Sequence, residues 1–429
     1  MLAAEGQQPS RAWSRAGREW LFGLFTLALI PRLILIASRP DGLEFWEYED
    51  LARSIVSGQG YVISRFGHQA FAFGDGNLYS FLAASVYLLV GHEPRVLGVI
   101  QAALASLAPP LIFAIGLRAF SRQVALLGAV LAALHPGLLA YTTKLHPLGL
   151  DVLLLALMVW WFGRTDTGKR QGLGAGLALG MALMSRPTFF LAGVIALAYR
   201  WRNDWRRPVI PMAAVLVALV IASPWVVRNW TVLGRPVFIS TSLEDVWKGN
   251  NPLSSGSSYL PNGQAIFSAV PPEIGARFQQ DSELALNDVF GQEVLAFVNQ
   301  QPVDFIGLVT RKFVYFWWLS PQAGVLYPST WLAAYEVYAA AVLSLAVVGV
   351  LAIVRCGTAA ERNLLGMLAA ISLTLAVVHS MAYVEGRHRW GVEPLLLLLT
   401  ARGLFVVARA MLMPLLGDQW RGFRRLSER

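Results

Sequence analysis

The sequence predicts an all-α polytopic membrane protein, a bundle of about ten transmembrane helices with two large loops on one face. Three observations predict it. First, 14% of the residues are charged and 56% hydrophobic, whereas a soluble domain carries about 25% charged residues. Second, apolar stretches approaching the roughly 20 residues needed to cross about 30 Å of hydrocarbon recur along the chain. Third, the basic residues behind the net charge of +9 gather in short connections between alternate stretches, as the cytoplasmic preference of Lys and Arg requires. Their placement accounts for the basic excess, so no nucleic-acid partner is expected.

Residues 1–19 form an amino-terminal tail with Arg11, Arg15 and Arg18, and residues 20–37 the first span. The length of that span, Pro31 and Arg32 within it, and the lack of a small-x-small exit mark an uncleaved anchor, not a signal peptide. Residues 38–94 make the first large loop. Within it "YSFLAASVYLLVG" (79–91) is apolar but too short to cross, which suits an interfacial or re-entrant helix. Spans follow at 95–117, 123–141, 147–162, 172–185, 188–200 and 208–227. Residues 228–330 are the second large loop, where "VDFIGLVTRKFVYFWWLSP" (303–321) carries Arg311 and Lys312 centrally and is expected to lie along the outer membrane face. Spans at 331–354, 363–384 and 391–412 precede a basic tail, 413–429.

With the amino terminus inside, the inner connections hold Arg118, Arg122, Arg164, Lys169, Arg170, Arg200, Arg202, Arg206, Arg207, Arg355 and Arg362. From Arg228 to Asp304, by contrast, eight acidic residues face four basic ones. Both termini are therefore expected in the cytoplasm, and both long loops on the outer side of a plasma or inner membrane. The one cysteine, Cys356, excludes an intramolecular disulfide and any multi-cysteine metal site.

Candidate chemistry begins at "DGLEFWEYEDLARSIVSGQGY" (41–61), where Asp41, Glu44, Glu47, Glu49 and Asp50 fall within ten positions. Glu44, Glu47 and Asp50 recur at a spacing of three, while Tyr48, Leu51 and Ile55 offer an apolar face, so the segment is expected as a short helix. Gly58 and Gly60 end it. Any one of these carboxylates, taken alone, is better explained as part of a solvated acidic surface. The cluster gains meaning from the cations expected at the same face: Lys144, Arg186, Arg228, Arg387 and Arg389, each at the end of a span. Taken singly, each of these cations can snorkel to the headgroups. Several converging at one depth would suit a phosphate, whose oxygens match guanidinium forks. In "STSLEDVWKGNNPLSSGSSY", Asn250 and Asn251 form a turn flanked by Trp247 and Tyr259. That turn suits a sugar or is simply structural. The six histidines show no metal-ligand spacing, and no phosphate-binding glycine-rich loop is present. No metal and no cofactor are expected.

In order along the chain, "EFWEYEDLARSIVSGQGY", "GNLYSFLAASVYLLVG", "SRP", "SPWVVRNWTVLGRPVFISTSLEDVWKGNNP" and "RHRWGVEPLLLLL" resemble segments of glycosyltransferase family 39. These are the protein-mannosyltransferase and aminoarabinose-transferase-like membrane enzymes of the GT-C fold. The resemblance runs over roughly residues 20–410. It implies a polyprenyl-phosphate-linked sugar donor, a lipid, glycan or protein acceptor, and transfer on the outer face. It also implies a key acid in the first outer loop, at Glu44 on one motif spacing or at Glu47 on another, with Glu44 preferred as the base on the first spacing, Tyr48 as the motif tyrosine and Ala52 as its small residue. The family often opens the fourth helix with an acid; here His146 and Pro147 stand there, with Asp151 about one turn later. A sugar–phosphate bond already carries a good leaving group, so one carboxylate base and arginines on the lipid phosphate suffice, with inversion at the anomeric centre. A lipid-linked glycan polymerase or ligase, and a flippase of an anionic lipid-linked substrate, are the competing readings. The flippase predicts an internal repeat, and none is evident.

Overall fold

The computed structural model describes residues 15–164, 169–203, 208–278, 280–320 and 326–416. The expectations resting on Arg11, Arg206, Arg207 and the last thirteen residues of the basic tail lie outside them. The described residues are overwhelmingly helical, and their strand is confined to one hairpin, Ile63–Arg65 with His68–Ala70.

Seven helical stretches among the described residues are long and apolar enough to cross a membrane: Gly17–Ala37, Pro94–Gly116, Arg122–Thr143, Val209–Leu233, Ser329–Cys356, Ala359–Met381 and Glu393–Leu412. The expected spans at 147–162, 172–185 and 188–200 are the shorter helices Leu148–Phe162, Lys169–Ser185 and Pro187–Trp201. Fifteen residues at 1.5 Å each cover about 22 Å, less than the hydrocarbon thickness. Leu148–Phe162 is also covered on nearly every side, with Leu150, Val152, Leu155, Ala156, Met158 and Val159 all buried. It is a central helix, which explains an apolar pattern with no polar face.

Proline sets the interruptions. Pro109 and Pro110 open a second helix after Ser106, and Pro136 restarts the chain after Ala133, because proline cannot donate to the preceding turn. Elsewhere small residues draw helices together. A Cβ on Gly349 would stand 2.1 Å from the Leu399 carbonyl oxygen, and one on Gly403 1.9 Å from that of Leu345. The two long carboxy-terminal helices thus meet backbone to backbone, the packing by which membrane helices associate where burial from water supplies little drive.

The two long connections meet at one end of the bundle, the loop face. There the Glu47–Val56 helix packs on Asn77–Val90. A small unit of Ser242–Lys248, Pro272–Arg277 and Glu283–Gln300 closes around Trp247, Ile266, Val289 and Phe290. The Pro302–Trp317 helix follows, with Val303, Ile306 and Val314 exposed on one side and Leu308, Lys312 and Phe316 buried on the other.

Candidate active site

Leu43 is buried with Ile36, Ala84, Leu97 and Leu145, and this anchor holds the following residues extended. Glu44 donates its backbone N–H to the Thr143 carbonyl at 2.9 Å and accepts from Leu145 N–H at 2.9 Å. Trp46 remains extended (φ −125°, ψ 172°), and the helix begins only at Glu47. Glu44 and Glu47 therefore do not share a helical face, contrary to the expectation from their spacing. The Glu44 side chain, half exposed, pairs with Lys144 Nζ and accepts from Trp46 Nε1 at 3.0 Å. It tethers two loops. Glu49 turns away from both and is buried against His92.

Glu47 faces inward. Among the described residues no side chain donates to or pairs with its carboxylate, while Arg387, Lys248 and Asp75 all act on it through space. Burial raises its pKa and the charge of Asp75 adds to this, against the opposing pull of its own backbone N–H, Arg387 and Lys248.

Asp75 was not among the sequence candidates. It sits in "FGDGN" between Gly74 (φ 66°) and Gly76 (φ 82°), two left-handed positions that favour glycine. A Cβ on Gly76 would lie 2.4 Å from Tyr48 Cε1, and Gly76 N–H donates to the Ser185 carbonyl at 2.7 Å. The turn thereby sets Asp75 across Tyr48, whose hydroxyl donates to it at 3.4 Å. Arg186, held extended between the Lys169–Ser185 and Pro187–Trp201 helices, pairs with Asp75 at 2.6 Å and with the fully buried Asp151 at 2.6 Å. Ser185 Oγ donates to the second Asp151 oxygen at 2.5 Å. The guanidinium is closed between two carboxylates.

Arg387 lies opposite, on the short Gly386–Trp390 helix. It pairs with Glu385 at 2.5 Å, donates to Tyr383 Oη at 3.3 Å and stacks 4.9 Å above the Trp46 ring. Ser258 Oγ donates to Glu385 and fixes it. Lys248 pairs with Asp245 at 2.7 Å and Glu244 at 3.3 Å, and Arg65 braces Glu244 from behind. A cleft lined by Arg387, Glu385, Tyr141, Tyr327, Trp331 and Trp390 opens beside Arg387.

The other sequence candidates serve the frame. Arg228 donates to the carbonyls of Phe71 and Tyr61 and to Asn229 Oδ1. Arg389 is spent on Glu393, Tyr335 and the Trp317 and Trp318 carbonyls. Trp247 is 3% exposed in the core of the loop unit. Asn250 donates to the Val246 and Met381 carbonyls and accepts from Lys312, and Asn251 donates to the Trp247 carbonyl. Of the eleven residues singled out, Glu47, Tyr48, Arg186 and Arg387 meet at one place with Asp75 and Lys248, and Lys144 stands at its edge. Among the described residues no group of three His, Cys, Asp or Glu side chains is arranged to hold a metal ion.

Residues 76–228 match the family model described as dolichyl-phosphate-mannose-protein mannosyltransferase. Among solved structures, the archaeal oligosaccharyltransferase AglB from Archaeoglobus fulgidus, in complex with an inhibitory peptide and a dolichol-phosphate, is 13% identical. It superposes with a TM-score of 0.54 over 96% of this chain and 52% of its own. The apo form of the Archaeoglobus fulgidus oligosaccharyltransferase, also 13% identical, gives 0.52 over 97% and 52%. ArnT from Cupriavidus metallidurans bound to undecaprenyl phosphate is 14% identical over 92% of this chain and 80% of its own, with a TM-score of 0.44. No curated protein matches the sequence. The chain spans about half the length of the oligosaccharyltransferase it superposes on, and at such identities the likeness is one of fold.

Proposed function

We propose that this membrane protein of the GT-C fold, similar over residues 76–228 to the dolichyl-phosphate-mannose-protein mannosyltransferases, is a glycosyltransferase that takes its sugar from a polyprenyl-phosphate-linked donor. The sugar passes to a hydroxyl of a lipid, glycan or protein acceptor at the loop face, on the outer side of the membrane. One observation carries the reading. Asp75, Asp151, Asp245, Glu244 and Glu385 each have a cation in contact, whereas Glu47 has none among the described residues and sits in the field of Arg387 and Lys248. A base must be free to accept a proton and have a pKa drawn toward the working pH.

In the reaction the acceptor oxygen attacks the anomeric carbon while its proton passes to the Glu47 carboxylate. The bond from that carbon to the phosphate oxygen breaks, and its electron pair leaves on the polyprenyl phosphate. A single displacement inverts the anomeric centre. Arg387 stabilises the departing phosphate with its guanidinium fork, oriented by Glu385, Tyr383 and the face of Trp46, and Lys248 adds charge from the side. Arg186 acts differently: closed between Asp75 and Asp151, it positions Asp75 and, through it, Tyr48. The dolichol-phosphate in the AglB complex supports a lipid phosphate as the anion for this fold.

Binding tests the donor assignment without requiring the acceptor. The purified protein, titrated with polyprenyl-phosphate hexoses and pentoses, is expected to show a thermal shift that free polyprenyl phosphate competes away and that Arg387→Ala moves to about ten- to a hundredfold higher donor concentration. Absence of binding to any of these donors contradicts the reading.

A further inference from the structure

The first span carries a second cationic pocket that the transfer reaction does not use. Arg32 is 1% exposed, and a guanidinium stays charged at every physiological pH. Its Nη1 donates to the Ala28 carbonyl on its own helix at 2.6 Å and to the Ala133 carbonyl at 3.1 Å. Ala133 ends the Arg122–Ala133 helix, where the break before Pro136 leaves carbonyls open. Nη2 has no partner. Among the described residues no carboxylate pairs with this guanidinium, although every other buried arginine at the loop face except Arg228 has one.

Carbonyl contacts offset only part of the cost of enclosing a full charge, which is several kcal/mol for an unpaired ion. The guanidinium also borders a small, partly open cavity lined with Gln101, Thr142, Tyr141, Ala102, Ala105 and Gly149. Arg32 lies five residues before the end of its helix at Ala37, about 7.5 Å along the axis. At that depth a phosphate can enter from the headgroup level while its hydrocarbon tail remains in the bilayer. Gln101 connects the cavity to the site: it accepts from Tyr79 Oη at 2.5 Å and His146 N–H at 3.2 Å, and donates to the Lys144 carbonyl at 2.9 Å.

We propose that this cavity binds the phosphate of a phosphate-bearing lipid, as an anion site separate from the one at Arg387. The proposal does not rest on the transferase reading, because any lipid phosphate would compensate the buried charge.

Native mass spectrometry of the purified full chain tests it, with undecaprenyl phosphate, phosphatidylglycerol and inorganic phosphate as separate probes. The wild type is expected to retain a lipid phosphate that Arg32→Gln and Ala105→Leu each bind at least tenfold more weakly. Ala105→Leu adds bulk to the cavity and keeps the arginine, so it carries the test if Arg32→Gln fails to fold. Retention of undecaprenyl phosphate identifies a second seat for the donor's lipid. Retention of phosphatidylglycerol alone identifies a bilayer lipid, and either outcome supports the site. Arg387→Ala leaves this component intact, so failure of the transferase reading remains distinguishable. Unchanged binding in both Arg32→Gln and Ala105→Leu, or retention of inorganic phosphate only, overturns the proposal.

Discussion

Glu47 and Glu44 stand three positions apart and have opposite fates. Among the described residues Glu47 has no side-chain partner and its pKa is raised by burial, while Glu44 is tied to Lys144 at the edge. A base works in its ionised form, so its rate is lost as the pH falls through its pKa. Because the Glu47 pKa is raised, the acidic limb of the transfer rate is expected above the ordinary glutamate range. A pH–rate profile checks this, and a limb at the normal glutamate value argues for another base. At Arg387 the prediction concerns binding. Removing a charged hydrogen-bonding partner costs about 1.5–3 kcal/mol, so Arg387→Ala is expected to weaken donor binding about ten- to a hundredfold. Arg387→Lys is expected to recover little, because an ammonium lacks the bidentate fork; calorimetric titration distinguishes the two. Both residues were legible in the sequence as members of charged clusters beside span ends. Asp75 was not. A lone acid between two glycines has no periodicity, and its meaning comes from Tyr48 and Arg186, 27 and 111 positions away.

At the level of elements, apolar periodicity located the helices well, because burial in lipid or in the bundle demands the same residues. The error was at the start of the acidic helix. A spacing of three extends the pattern back to Glu44, but Leu43 is pinned in a separate cluster and Trp46 stays extended. Long-range packing overrode a local signal. The Asn250 turn shows the same principle. Lys312, buried on the Pro302–Trp317 helix, donates to the Gly249 carbonyl at 2.9 Å, Asn250 Oδ1 at 2.7 Å and the Ala382 carbonyl at 2.8 Å. It staples the loop unit to the end of the Ala359–Met381 helix, a role invisible in a sequence where it stands beside Arg311. Lys312→Met leaves those acceptors unpaired and is expected to cost about 1–3 kcal/mol. A fall of several degrees in the melting temperature, with earlier proteolytic cleavage in 242–278, would accord with this; an unchanged melting curve would not.

For the whole molecule, the family match over residues 76–228 and the GT-C fold support the resemblance to glycosyltransferase family 39, and composition alone indicated a polytopic helical bundle. Sidedness is the remaining proposal at this scale, and the native cysteine tests it. Cys356 is exposed at the end of its helix, on the side assigned to the cytoplasm, while Asn262 is exposed in the large loop. A membrane-impermeant thiol reagent applied to intact cells is expected to spare Cys356 and to label Asn262→Cys in a Cys356→Ser background; the reverse pattern inverts the topology. The central claim is that a free carboxylate at the loop face takes the acceptor proton as sugar leaves a lipid phosphate. It is tested most directly by comparing purified Glu47→Gln and Glu44→Gln with a radiolabelled polyprenyl-phosphate sugar. Glu47→Gln is expected to bind donor nearly as well as wild type yet to transfer about 100-fold more slowly or worse, with Glu44→Gln much closer to normal. Wild-type turnover in Glu47→Gln would contradict the claim.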